Sequence, residues 1–329
     1  NPVTNGKTSF CNEIILPIFN TFNNDQTSII PPSRDSINVQ TNRYFVLGSE
    51  WIYFKVYCAS KWQEKILAEV LLQYVTEGIK LKKIQKWFFI KYNDPKPHFR
   101  FRILCDKKEF SNAEIIGRIE QLLAPFINSS IISTLAYDTY QREIERYGAS
   151  NIVNSESLFF FDSVAVLKSI GLMLHIKKDL RLMIALRSID TFFDDFRYTL
   201  ADRLRVVTEL NESFISEFNG PNNSDTKLRK SLNDKFRKDR TLISIYLLEE
   251  YSANSNEARL SHYFTERSSG IRPMVDDISA SVTDLDSLLK SYIHMSLNRI
   301  FVAKQRQHEL VTYHFITKHY TSMKARNAE

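Results

Sequence analysis

The chain has 329 residues, 43% of them apolar, and its 44 basic and 38 acidic side chains leave a formal charge of +6. That length and apolar fraction supply a real core, in one large domain or two packed ones, and exclude a disordered or collagenous chain. With 23 Phe and 15 Tyr against 8 Gly, the composition favours wide aromatic packing with few tight turns. The surplus charge lies in local runs, Lys80–Lys86 and Arg229–Arg240, which read as solvated helix faces, and no nucleic-acid motif accompanies them.

Cys11, Cys58 and Cys105 stand far apart, with no CxxC and no His at ligand spacing, so neither a disulfide framework nor a zinc site is expected. Idle thiols in a reducing compartment fit better. No apolar run of membrane-crossing length is expected and no signal-peptide pattern opens the chain, so a cytoplasmic location is expected. The first residue is Asn1 rather than Met, as in a piece of a longer protein.

Residues 1–43 are rich in turn formers (Asn23, Asn24, Asp25, Pro31, Pro32) around one apolar run, Ile14-Ile15-Leu16, and read as a linker or the tail of a preceding domain. From Trp51 the pattern sharpens. Trp51–Cys58 has strand composition, and Lys61–Gly78 carries apolar residues at helical spacing (Ile66, Leu67, Val70, Leu71, Tyr74). Trp87–Tyr92 and His98–Cys105 form a predicted hairpin around turn residues 93–97. Phe110–Phe126 is a second helix, and Ile131–Tyr140 is extended. The order β-α-β-β-α-β is that of a ferredoxin-like layer, so the fold class is α+β. After residue 155 only helical patterns follow, over 156–176, 180–196, 200–218, 228–251 and 285–320, with breaks at Gly220–Asn223 and Gly270–Pro273. The expected division is 1–43 as tether and 44–329 as the working domain, with an α+β part over 44–154 and a mainly helical part over 155–329.

Three clusters could carry chemistry. In His98-Phe99-Arg100-Phe101-Arg102 the strand period puts His98, Arg100 and Arg102 on one face. This is either an edge strand charged against aggregation or an anion site whose guanidinium forks grip carboxylates. In the segment Asp138–Gly148, Glu143 and Arg146 stand three apart, neighbours in a helical turn, which is a salt-bridged turn or a carboxylate orienting a cation. In Ser291–Arg299, His294 and Asn298 share a helix face; a lone helical His is an ordinary residue more often than a proton carrier. The sequence contains no phosphate loop, GxSxG elbow, HExxH or dinucleotide fingerprint.

Together with Phe45–Lys55, Lys86–Pro95 and Glu156–Ser163, these three clusters resemble the C-terminal, glutamate-eliminating domain of lantibiotic dehydratases, a family that includes thiopeptide-type bacteriocin biosynthesis proteins. Asn12–Pro17 resembles the end of that family's preceding glutamylation domain. The resemblance implies a lyase that expels glutamate from glutamylated Ser or Thr of a ribosomal precursor peptide, leaving dehydroalanine or dehydrobutyrine. It implies as partners the precursor peptide and a glutamylation domain or subunit that uses glutamyl-tRNA, with no tRNA contact by this chain and, by family habit, a homodimer. Neither metal nor organic cofactor is implied. The family's eliminating residues fall on Arg100, Arg102, Arg146 and His294, with His98, Glu143 and Lys91 as substrate-binding or orienting neighbours. Departures are Lys91 where Arg is common, Ala149 where a second Gly is common and Leu47 where Pro often stands; Lys91 keeps the charge but loses the fork. The alternatives are a pyridine-synthase-like cycloaddition and a non-catalytic peptide-binding module. Retention of the His and Arg set favours elimination over the cycloaddition; for the binding module, substitution of His294 would leave turnover unchanged and peptide affinity would be the only measurable property.

Overall fold

In the computed structural model the described residues are 3–4, 9–10, 41–106, 112–219, 225–248 and 251–326. They fall into two units. Within residues 1–40, strands β1 (Val3–Thr4) and β2 (Ser9–Phe10) pair antiparallel. Cys11, the Asn12–Pro17 motif and the Gly220–Asn223 break lie outside the described residues.

The second unit begins with β3 (Tyr44–Phe45) and β4 (Trp51–Cys58), followed by a continuous helical run: α1 (Ser60–Lys65), a π-helical segment (Ile66–Leu71) and α2 (Leu72–Lys80). Then come β5 (Ile84–Tyr92), β6 (His98–Cys105), α3 (Asn112–Asn128), β7 (Ile132–Tyr137), β8 (Tyr140–Gln141) and the short α4 (Ile144–Tyr147). The four long strands form one antiparallel sheet in the order β5-β6-β4-β7, and β3 pairs with β8. β6 therefore lies between β5 and β4, which removes the edge-strand reading of its charges.

Alternation gives the sheet two faces. Ile52, Phe54 and Val56 of β4 stand in register with Ile103, Phe101 and Phe99 of β6, and these with Trp87, Phe89 and Lys91 of β5. All but Lys91 join the hydrophobic core with Ile66, Leu67, Leu71 and Val75 of the first helical run and Ile115, Ile119 and Leu123 of α3. The opposite face carries Tyr53, Lys55 and Tyr57 beside Arg102, Arg100 and His98, and these beside Phe88, Ile90 and Tyr92.

Seven further helices follow among the described residues: α5 (Ile152–Ile176), α6 (Arg181–Asp195), α7 (Leu200–Asn219), α8 (Asp225–Leu247), α9 (Asn256–Ala280), α10 (Leu285–Ile300) and α11 (Gln305–Arg326). Three expectations need correction. Gly270–Pro273 is not a break but lies inside α9, because Gly270 lets that helix approach α5: a Cβ there would stand 2.3 Å from the Phe161 ring. The stretch 285–320 is two helices, ended at Ile300 and restarted at Gln305. And α5 is long and apolar enough, by length and composition, to cross a membrane. Its apolar residues are spent on the core, and it carries two fully buried carboxylates, Glu156 and Asp162.

Asp162 joins the helices to one another and to the sheet. Its Oδ1 accepts from Arg267 Nη1 (2.9 Å) and Ser296 Oγ (2.9 Å), and its Oδ2 from Arg299 Nη1 (3.0 Å), while Arg299 Nε donates to the Phe89 carbonyl (2.9 Å). The outer edge of β5 is thereby closed by side chains. Ser163 Oγ accepts from Phe89 N–H at 3.4 Å, and the Asn298 amide both accepts from Lys91 N–H (2.8 Å) and donates to Lys91 C=O (2.9 Å), copying a strand partner. Cys58 and Cys105 are free and buried, and burial pushes both thiols up to about 12.

Candidate functional site

A cavity of about 370 Å³ opens on the cationic face of the sheet, lined by Tyr53, Lys55, Tyr92, Arg100 and Arg102 and, from the loop and turn after β7, by Asp138, Gln141, Glu143 and Glu145. Its floor is made by strand periodicity alone, since Lys55, Arg100 and Arg102 sit at alternate positions on neighbouring strands.

Arg102 is only 7% exposed, and its guanidinium lies on three rings: Tyr53 at 4.5 Å, Tyr140 at 5.0 Å and Phe88 at 5.2 Å. Its buried Nε and Nη1 have no hydrogen-bond partner. A buried cation with unsatisfied donors is costly unless something supplies the acceptor, and among the described residues no carboxylate does.

Arg100 lies flat over Tyr92 at 3.7 Å, and its Nε donates to His98 Nε2 at 3.2 Å. His98 is buried, stacked between Tyr57 (4.6 Å) and Tyr92 (5.4 Å), and its Nδ1 meets the Lys96 carbonyl at 2.9 Å. A carbonyl can only accept, so Nδ1 carries the hydrogen and Nε2 is left with a lone pair for Arg100. Burial pulls the His98 pKa down, in keeping with a neutral ring. The structure thus puts His98 behind Arg100 as its support, with both ring nitrogens committed. Lys55 pairs with Asp138 at 2.5 Å.

The turn after β8 carries the second cluster. Gly148, at φ 81°, ends α4 in a conformation that suits glycine, and its carbonyl accepts from Ile152 N–H at 3.0 Å as α5 begins. Arg142 of this segment is structural, forking onto buried Glu156 with bonds of 2.6 and 2.7 Å. Arg146 stands 3.6 Å from Glu143 and donates from Nε to Ser291 Oγ at 3.2 Å, which ties the turn to α10. His294 lies on α10 one turn beyond Ser291. Its Nδ1 is 2.9 Å from Oε1 of Glu309, which is fully buried and also accepts from Gln305 Nε2 (2.7 Å) and Arg306 Nη1 (3.3 Å). Because a carboxylate accepts only, Nδ1 donates, and Nε2 is the free nitrogen of a side chain 34% exposed.

Arg100, Arg102 and Glu143 thus share one cavity, and Arg146 bridges from Glu143 to the helix of His294. Lys91 stands apart. It points to the other face of the sheet, where its Nζ pairs with buried Glu64 (3.2 Å), itself bound by Arg181; burial pulls the ammonium down to about 8. Sequence reasoning missed Tyr53, Tyr140 and Glu309. The two-residue period could have found Tyr53; Glu309 comes from a different helix and left no local signal. Among the described residues no group of three or more His, Cys, Asp or Glu is placed to hold a metal.

Fold and site define an α+β domain that carries an anion-ready pair of arginines on one face of an antiparallel sheet and a carboxylate-held histidine on an adjoining helix bundle. The family model for the lantibiotic biosynthesis dehydratase C-terminus matches residues 51–320, and the chain belongs to that family, the elimination domain of enzymes that dehydrate peptides. It is 23% identical over 327 residues to the nisin biosynthesis protein NisB of Lactococcus lactis subsp. lactis, covering 95% of this chain and 30% of NisB. It is 22% identical over 296 residues to the epidermin biosynthesis protein EpiB of Staphylococcus epidermidis, covering 88% and 27%. The chain therefore spans about 30% or less of these relatives. Among solved structures it is similar in fold to the tRNA-dependent lantibiotic dehydratase MibB from Microbispora sp. 107891 (TM-score 0.63, 17% identity, 86% of this chain and 29% of that one). It is similar in fold also to TbtD, the pyridine synthase of thiomuracin biosynthesis (TM-score 0.56, 12% identity, 83% and 98%).

Proposed function

We propose that this chain expels glutamate from glutamylated Ser or Thr of a ribosomally made precursor peptide, in a ferredoxin-like layer backed by the helical part, in the cytoplasm and without a cofactor. The observation that carries the reading is Arg102, which lines the cavity beside a second arginine and, among the described residues, is paired with no carboxylate. A leaving carboxylate supplies the missing acceptor.

The reaction is a β-elimination. His294 Nε2 takes the Cα proton, the C–H electrons form the Cα=Cβ bond, and the Cβ–O bond breaks with its electron pair leaving on the glutamate carboxylate. Glu309 holds the imidazole in the productive tautomer and stabilises the imidazolium that forms. Arg100, Arg102 and Arg146 hold the glutamyl carboxylate and meet the negative charge as it develops; preorganised charge of this kind usually contributes most to such rates. A partner domain or subunit that uses glutamyl-tRNA would supply the ester, and a homodimer is the working assembly.

The test is mass spectrometry of a glutamylated precursor peptide incubated with the chain, beside Arg146→Ala and His294→Ala. Loss of glutamate with the unaltered chain and persistent adducts with the variants is the expected result. Adducts left intact on a peptide shown to bind would sink the reading. If a peptide bearing two dehydroalanines cyclised instead, the cycloaddition alternative would take its place.

A further inference from the structure

The two outer edges of the four-stranded sheet differ. Along β5 the main chain is met by the Asn298 amide, Ser163 Oγ and Arg299 Nε. β7 forms the other edge. The Asp138 N–H donates to the Tyr53 carbonyl at 3.0 Å, so by the two-residue period the N–H and C=O of Ala136 and Thr134 also face β4, and those of Leu135 and Tyr137 face outward. Among the described residues no main-chain group bonds these outward ones. Nor does β7 carry the usual devices that blunt an edge: Ile132–Tyr137 has no charged residue and no proline, and its one register shift lies at the far end, against Tyr57 and Cys58.

Outward N–H and C=O groups in a row accept an extended chain as a further strand, and such pairing reads no side chain. On the cationic face Ala136 stands beside Lys55 and Thr134 beside Tyr57, while Leu135 and Tyr137 pack against the core on the other. Both residues on the cationic face are small, so alternate side chains of an added strand point across them toward Lys55 and Arg100. That strand would lie three strand spacings, about 14 Å, from β6, within the combined reach of an arginine and a second long side chain. The remaining side chains would lie on the side of Leu135 and Tyr137, where apolar residues fit. A second copy of this chain needs more contact than the edge gives: a stable interface takes about 20–30 residues a side, and β7 has six. We infer that β7 holds an extended segment of the precursor peptide by strand addition, with every second side chain delivered to the cavity. The inference rests on the elimination reading for the nature of the peptide, and it adds that the peptide is held by main-chain groups that any sequence possesses.

The test uses the unaltered chain and a fluorescein-labelled peptide, a central serine among valines and alanines, with each backbone nitrogen methylated in turn. Fluorescence anisotropy is expected to show a two-residue rhythm. Methylation of a nitrogen that faces β7 weakens binding roughly tenfold, through one lost hydrogen bond and the intruding methyl, and methylation of those between leaves it unchanged. Leu135→Pro removes an outward N–H without touching the ladder to β4, and is expected to weaken the unmethylated peptide by a similar factor. Should that variant unfold, the methylation series still decides, since it leaves the protein unaltered. Equal losses at consecutive positions, no losses, or no binding overturn the inference. So does a Leu135→Pro chain that binds the peptide as before but loses a dimer in sedimentation, which would give the edge to a second copy. Elimination assays on the glutamylated peptide stand apart: a rhythm in binding without release of glutamate would refute the proposed reaction and leave the strand site standing, and release indifferent to methylation would do the reverse.

Discussion

Burying a guanidinium costs several kcal/mol of hydration, and Arg102 recovers part of this on the faces of Tyr53, Phe88 and Tyr140 rather than on a carboxylate. Arg267 and Arg299, buried as deeply, share Asp162 instead. The contrast predicts opposite responses to substitution. Arg102→Met should fold with a stability within about 1 kcal/mol of the unaltered chain, because no anion loses its partner, while elimination falls roughly 10²- to 10³-fold. Denaturant melts beside single-turnover kinetics check this, and a loss of stability above about 3 kcal/mol would mean that the guanidinium is structural. Arg100 and Arg102 were legible from alternation on one strand. That Arg102 lacks an anion was not, because the carboxylates that might have met it, Glu156 and Asp138, are claimed by Arg142 and Lys55 from elsewhere in the chain.

At the level of elements, the strands and the amphipathic helices were readable because their periodicity reports burial on one face. Helix α9 was not, since Gly270 and Pro273 are breakers by local rules. Contact with α5 overrides those rules: Phe161 occupies the space that a Gly270 side chain would need. Gly270→Ala should therefore destabilise the chain by about 1–3 kcal/mol, although alanine favours helix over glycine by about 1 kcal/mol, because a ring packed between two helices cannot move aside freely. Chemical denaturation measures it, and a gain in stability would show that the Phe161 ring moves aside freely at this crossing. Asn298 shows a further limit. As a helix residue it reads as ordinary, yet it stands in for a missing strand along β5 and continues through Gln305 to Glu309 and His294, coupling the sheet edge to the histidine.

Across the whole molecule, burial holds several histidines neutral. It lowers the pKa of His98 and His308, and takes His314 and His319 down to about 4. In the unfolded chain each titrates near 6.5, so below that pH the unfolded state binds protons first; stability supplied by these groups is present above pH 6.5 and is lost as pH falls toward 4. Compared with His319→Gln, which has no such proton to take up, the unaltered chain should lose relative stability steadily between pH 6.5 and 4 and show no further relative change below that. Thermal melts of both proteins across pH 4–8 report the difference, and parallel curves would exclude the effect.

The sequence by itself determined the alternating strands, the helix-rich second half and the short motifs that carry the family likeness, because each of these is written in residues a few positions apart. Only the tertiary structure decided that β6 is a central strand, that Lys91 faces away from Arg100 and Arg102, that His98 supports Arg100, and that Glu309 holds His294. Those facts depend on strand order, register and helix packing, and no local pattern encodes which partner arrives.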